Sequence, residues 1–175
     1  MDGLIHVYYG DGKGKTTAAL GLLLRAAGYG QRIVLVQFLK DAKSGELAAL
    51  DRIPNVTVLR GKAPGAAFFR DMTDEQKAET RRIHDGNIQK AAELAKAGEC
   101  DLLILDEALD AYQLGLLSED ILRSLLDGKP AQLELVITGH TPTGWISEKA
   151  DYVTQMVKIK HPYDRGITAR RGVEF

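Results

Sequence analysis

Two groups of residues in this sequence have the types and the spacing to handle a polyphosphate. The first is Tyr9-Gly10-Asp11-Gly12-Lys13-Gly14-Lys15-Thr16-Thr17. Its glycines let backbone N–H groups converge on phosphate oxygens, and the N-terminus of a following helix adds a favourable dipole. Lys15 is suited to neutralise the outer phosphates, and the Thr16 hydroxyl to ligate Mg²⁺. Counted back from Gly14-Lys15-Thr16, the first glycine of the usual phosphate-loop pattern falls on Tyr9, with Gly10 one place late. A dinucleotide fingerprint fails, because a start at Gly10 and Gly12 puts its third glycine on Lys15. The second group is Asp106-Glu107, two carboxylates that close the apolar run Leu102-Leu103-Ile104-Leu105. One of them can hold Mg²⁺ directly or through water. A strand-end aspartate that caps the next helix is the alternative. Together the two groups predict ATP and Mg²⁺ binding, without saying which bond of ATP breaks.

The elements that must position these groups are legible on either side. Leu4-Ile5-His6-Val7-Tyr8 reads as a buried strand before the glycine loop, and Ala18 to Ala27 as a helix ending near Gly28. Further strand-like runs are 33–38, 56–59, 102–105 and 135–138, with a last one at 152–157. Near-continuous apolar strands alternating with helices predict an α/β, RecA-like P-loop NTPase fold: three layers around a mostly parallel sheet. Ligands of such sheets gather at the carboxyl ends of the strands, so Asp106 and Glu107 should emerge near the loop. Since strands near 33 and 56 intervene, the carboxylate strand is expected beside the P-loop strand after the chain returns. Thr73-Asp74-Glu75-Gln76 forms a capping box for a helix whose charges, Lys77, Glu79, Arg81 and Arg82, suit a solvated face. Residues 61–69 read as a loop.

Composition bounds the rest. A chain of 175 residues, 45% hydrophobic and 27% charged, fits one compact domain over 1–175. A net charge of −1 provides no global basic field to recruit nucleic acid. The single Cys100 forms no internal disulfide and belongs to the core or a sheet edge, and no Cys/His pattern suggests zinc. With no signal-like N-terminal segment and no run of membrane-spanning length, a cytoplasmic location is expected. His6 and His84 lack metal-like spacing and read as structural.

More segments recur in a recognisable order: Val36-Gln37-Phe38-Leu39-Lys40, Gly45-Glu46, Leu105-Asp106-Glu107, Val136-Ile137-Thr138-Gly139 and Ala150-Asp151-Tyr152-Val153-Thr154. Lys160-His161-Pro162-Tyr163-Asp164-Arg165-Gly166-Ile167 and Arg171-Gly172-Val173-Glu174-Phe175 follow. With the Gly-Lys-Gly-Lys-Thr-Thr loop, this order resembles the P-loop ATP:corrinoid adenosyltransferases over nearly the whole chain. The resemblance implies that Co(I) of a reduced corrinoid attacks the 5′ carbon of ATP and that triphosphate leaves intact. Lys15, Thr16 and Glu107 are then the expected catalytic residues. Mg²⁺ is expected at Thr16, Asp106 and Glu107. Gly10 through Thr17, with Glu46, would bind nucleotide. The family further implies a flavoprotein reductant and a homodimer.

Two departures stand out. Longer relatives carry an N-terminal extension that helps to close the corrinoid site, whereas here the first strand begins almost at Met1. Several relatives also have a Phe-x-Trp feature after the third strand, where this chain offers Phe68 and Phe69. These two either pack against the corrin or are ordinary buried phenylalanines. His161 and Arg165 either contact ATP or the corrinoid, or stabilise their loop. Trp145 suits core or rim, and Thr138 to Thr141 could face the nucleotide. Two other functions stay open: an ATP-hydrolysing RecA-like switch in which Glu107 polarises water, and a nucleotide-binding regulatory protein without chemistry. The acceptor could be cobalamin, cobinamide or an earlier corrinoid.

Overall fold

In the computed structural model, residues 2–40, 44–65 and 69–174 are described. Six strands, β1 (Ile5–Tyr9), β2 (Ile33–Gln37), β3 (Val56–Arg60), β4 (Leu102–Asp106), β5 (Glu134–Gly139) and β6 (Tyr152–Gln155), form one sheet in the order β3-β2-β4-β5-β1-β6. Every pairing is parallel. Between them run α1 (Lys15–Gly28), α2 (Gly45–Leu50), α3 (Asp74–Lys96), α4 (Ala108–Gln113), α5 (Glu119–Asp127) and α6 (Gly144–Lys149).

Both faces of the sheet are covered, which is why β2 and β4 are apolar almost throughout and buried at every position. Side chains alternate across a strand, and the core divides accordingly. Val34, Val36, Leu103, Leu105, Leu135 and Ile137 pack on one face, with Ile88, Ala91 and Ala95 of α3. Ile33, Leu35, Leu102, Ile104 and Val136 pack on the other, with Ala19, Leu23 and Ala26 of α1. Cys100 is buried, and burial pushes its thiol up to about 11, so it is an inert core residue.

The capping box of α3 is formed: Gln76 N–H donates to Thr73 Oγ1 at 3.2 Å, and Thr73 N–H to Gln76 Oε1 at 3.0 Å. Thr80, His84, Ile88, Ala91 and Ala95 make its buried stripe, while Arg81 and Arg82 are exposed. His84 is structural: Nε2 accepts from Leu39 N–H, Nδ1 faces Leu116 O at 2.9 Å, and burial lowers its pKa. His6 is structural too, bonded to Glu134 and stacked on Tyr152.

One expectation needs correcting. The carboxylate strand β4 does not lie beside β1, because β5 stands between them, pairing Val7 with Ile137 on one side and Leu105 with Ile137 on the other. Five of the six residues of β5 are buried, and its backbone needs a partner along both edges. β6, exposed at all four residues, takes the outer edge instead. No helix among the described residues is long and apolar enough to cross a membrane.

Candidate active site

The glycine loop runs from the end of β1 into α1 and is braced by the chain just after β6. Met156 N–H donates to Tyr9 O at 2.7 Å, and Gly12 N–H donates to Met156 O at 2.8 Å. Gly10 has φ +120, and a Cβ there would lie 2.2 Å from Met156 O. No side chain fits. Gly10→Ala is therefore expected to strain the loop by on the order of 1–3 kcal/mol. Thermal melting should show a lowered midpoint, and added ATP should raise it less than in the parent.

Gly14, also left-handed at φ 117, caps α1 without a side-chain hydrogen bond to its first turn. Lys15 curls over the loop, its ammonium donating to Gly10 O at 2.7 Å and Gly12 O at 2.9 Å. The Asp11 carboxylate accepts from Lys158 N–H at 3.1 Å, which holds its pKa below the ordinary value. Lys13 Nζ stands 3.5 Å from Val173 O, in the C-terminal tail.

Across the intervening strand, the loop and β4 still meet. Asp106 is 1% exposed and spends both carboxylate oxygens. Oδ1 accepts from the hydroxyls of Thr16 and Thr138, each at 2.8 Å, and Oδ2 accepts from Lys40 Nζ at 2.7 Å. Asp106 therefore does not cap the next helix. Glu107 occupies that cap position, left-handed at φ 63, an unusual conformation for a glutamate. Its N–H donates to Thr138 Oγ1 at 2.9 Å, and its carboxylate lies 3.4 Å from Lys40 Nζ. Burial raises the Glu107 pKa against the pull of Lys40. Burial opposes the charge on Lys40 as well, but Asp106 and Glu107 together outweigh it and hold its pKa above the ordinary value.

The raised Glu107 pKa has a definite sign. The folded protein binds the extra proton more tightly than the unfolded chain. Stability should therefore fall as pH rises from the ordinary carboxylate range through the raised value. Melting curves of the ligand-free protein should show this decline, and Glu107→Gln should flatten it.

These groups open on a cavity of about 680 Å³. Gly14 to Thr17 form its floor, Lys40, Gly45 and Glu46 one wall, and Glu107, Asp110, Thr138 and His140 another. Gly172, Val173 and Glu174 reach it from the tail. Of the residues expected to bind nucleotide, Lys13 to Thr17 and Glu46 are at the cavity. Gly10, Asp11 and Gly12 shape the loop behind it. Phe69 instead packs with Ala63, Met72 and Leu116, and Phe68 lies outside the described residues. His161 does not line the cavity; its ring accepts from Tyr163 N–H and caps the short turn Pro162–Arg165 that holds Arg165. Trp145 sits at the rim of the core, with the Arg123 guanidinium 4.1 Å above its ring.

Magnesium fits this donor set. Thr16 and Asp106 offer adjoining hard oxygens, with Glu107 next in sequence. No cluster of three or more metal-binding side chains occurs among the described residues. That suits an ion held largely by phosphate oxygens and water. Sequence reasoning missed Lys40, Asp110 and the tail at 172–174 as cavity residues. Lys40 follows β2, and only the pairing of β2 with β4 reveals that it reaches the carboxylates.

Strand, glycine loop, Lys-Thr helix and a strand-end carboxylate bonded to the loop threonine define a P-loop nucleotide-binding protein. The fold agrees with a KaiC-like protein, PH0186, from Pyrococcus horikoshii, with TM-score 0.56 and 16% identity, covering 89% of this chain and 73% of that one. The cytoplasmic domain of EssC matches with TM-score 0.53 and 18% identity, over 97% of this chain and 34% of that one. A family model described as ATP:corrinoid adenosyltransferase BtuR/CobO/CobP matches residues 1–175. The corrinoid adenosyltransferase of Pseudomonas aeruginosa is 34% identical over 99% of this chain and 84% of its own length. That of Escherichia coli K12 is 30% identical over 99% and 86%. The corrinoid adenosyltransferase CobA of Salmonella typhimurium is 32% identical over the same shares, 99% and 86%. The chain belongs to the ATP:corrinoid adenosyltransferase family, and it is a transferase enzyme.

Proposed function

We propose that the protein transfers the 5′-deoxyadenosyl group of ATP to the Co(I) centre of a corrinoid and releases inorganic triphosphate. A Co–C5′ bond forms with the electron pair of Co(I), and the C5′–O5′ bond breaks toward the triphosphate. The observation that carries the reading is the loop cradle built for a polyphosphate, in a chain matched by the family model from end to end. No base is required, because the reduced corrinoid is itself the nucleophile.

Lys15 and the first-turn amides of α1 would hold the triphosphate as charge accumulates on it. Mg²⁺, when bound, supplies further positive charge to that leaving group. Thr16, Asp106 and Glu107 would hold the ion. Glu46 at the start of α2 would face the nucleoside side of the cavity. The protein's remaining work is to align 5′ carbon and cobalt in line and to exclude water. The corrinoid would approach the segment between β3 and α3, whose sequence carries Phe68 and Phe69. Residues 1–175 would act as one catalytic domain within a homodimer, served by a flavoprotein reductant.

The test is product analysis. Incubated with ATP, Mg²⁺ and chemically reduced corrinoids of different maturity, the protein should yield adenosylated corrinoid and intact triphosphate. The acceptor with the highest kcat/KM would identify the substrate. ADP and phosphate, formed without adenosylation, would overturn the reading in favour of a hydrolytic switch.

A further inference from the structure

We propose that His140, held in place by Asp110, is a catalytic residue that grips the triphosphate chain. The inference rests on the adenosyl-transfer reading above. His140 follows the last residue of β5, the strand inserted between the P-loop strand and the carboxylate strand. Its backbone is tied to the glycine loop, because Gly10 N–H donates to His140 O at 2.9 Å. One carboxylate then fixes both backbone and ring: Asp110 Oδ2 accepts from His140 N–H at 3.1 Å, and Oδ1 meets Nδ1 at 2.8 Å. The approach is close. A Cβ on Gly139 would stand 2.5 Å from Leu109 Cβ and 2.8 Å from Asp110 Oδ2.

The ring so fixed is 65% exposed, while the Asp110 side chain is only 18% exposed. An exposed histidine ordinarily keeps its rotamer freedom, and tethering it costs entropy that a structural role at the surface does not return. Nε2, on the far edge of the ring, makes no hydrogen bond to a described residue, and His140 and Asp110 share the cavity with Lys15 and Thr16. The other charges around that cavity are Lys13, Lys15, Lys40, Glu46, Glu107 and Glu174. Lys15 and Lys40 spend their ammonium groups on protein oxygens. His140 keeps its Nε2 unspent. With Asp110 accepting from Nδ1–H, the ring grips a phosphate oxygen by donating from Nε2, which takes the doubly protonated, charged form of the ring.

Titration calorimetry with inorganic triphosphate plus Mg²⁺, and separately with adenosine, tests the assignment. His140→Ala should weaken triphosphate binding about tenfold or more, as for loss of a charge-assisted hydrogen bond. Asp110→Asn should weaken it by a smaller factor, and adenosine binding should be unchanged in both. If His140→Ala keeps parental triphosphate affinity while Lys15→Ala loses it, the His140 assignment is wrong and the function stands. Parental affinity in both variants would overturn the reading of the cavity itself. Equal weakening of adenosine and triphosphate would overturn the assignment in favour of a structural role.

Discussion

Lys15→Ala is expected to leave a folded protein and to slow adenosyl transfer by on the order of 10²–10³-fold, the usual cost of removing one preorganised charge-stabilising group. The ammonium now bridges two carbonyls of its own loop, Gly10 O and Gly12 O. Gly10 and Gly12 are buried, so truncation leaves these carbonyls one donor short, a local cost of about 1–3 kcal/mol. The loop backbone is also held independently through Met156. Folding should therefore survive while the leaving group loses its nearest mobile cation. The loss should appear mainly in kcat, since charge develops on the triphosphate as the bond breaks. A cooperative melting curve with a modestly lowered midpoint, beside a collapsed single-turnover rate, is the expected pair of results. Parental turnover would remove the loop from the leaving-group site.

Asp106→Asn should damage both stability and activity. Three donors converge on this buried carboxylate: the hydroxyls of Thr16 and Thr138 and the Lys40 ammonium. An asparagine can turn its carbonyl toward the two hydroxyls, but its NH₂ then confronts the ammonium. Breaking a buried pair on one side costs on the order of 3 kcal/mol, because the remaining charge is left without a partner. The double variant Lys40→Met/Asp106→Asn should recover much of that stability without recovering Mg²⁺-dependent transfer. Denaturant titration of the two proteins, beside activity measured across Mg²⁺ concentrations, separates the two roles. Full activity in the double variant would make Asp106 a purely structural residue.

The parts of the site legible in the sequence were those whose geometry is local. Gly14-Lys15-Thr16 announces a helix start that binds anions, and the capping box at Thr73–Gln76 announces another, because both depend on residues within one turn. The apolar strands were legible for the same reason. The order of those strands was not. Nothing within Leu135–Thr138 distinguishes a strand beside β1 from one beside β4, and β5 proves to touch both. From that single fact follow the contacts that sequence spacing does not encode. Thr138 joins Thr16 on the same Asp106 oxygen and His140 O accepts from the glycine loop, while Lys40 reaches the carboxylates through the pairing of β2 with β4. The tail residues Gly172 to Glu174 escaped notice because they join the cavity only once the whole sheet is assembled.

The contact of Met156 with the glycine loop bears on how the molecule is made. Tyr9 and Gly12 wait for partners almost at the other end of the chain, and Asp11 bonds a backbone N–H 147 positions away. Contacts so distant in sequence form late, after the loop-closure entropy has been met by the rest of the sheet. During synthesis the phosphate-binding motif therefore emerges long before its brace, which follows 147 positions later. Competence to hold ATP should appear abruptly near the end of folding. Nucleotide captured then should hold the edge strand β6 against local opening, so that the substrate becomes the latch between the glycine loop and the segment after β6.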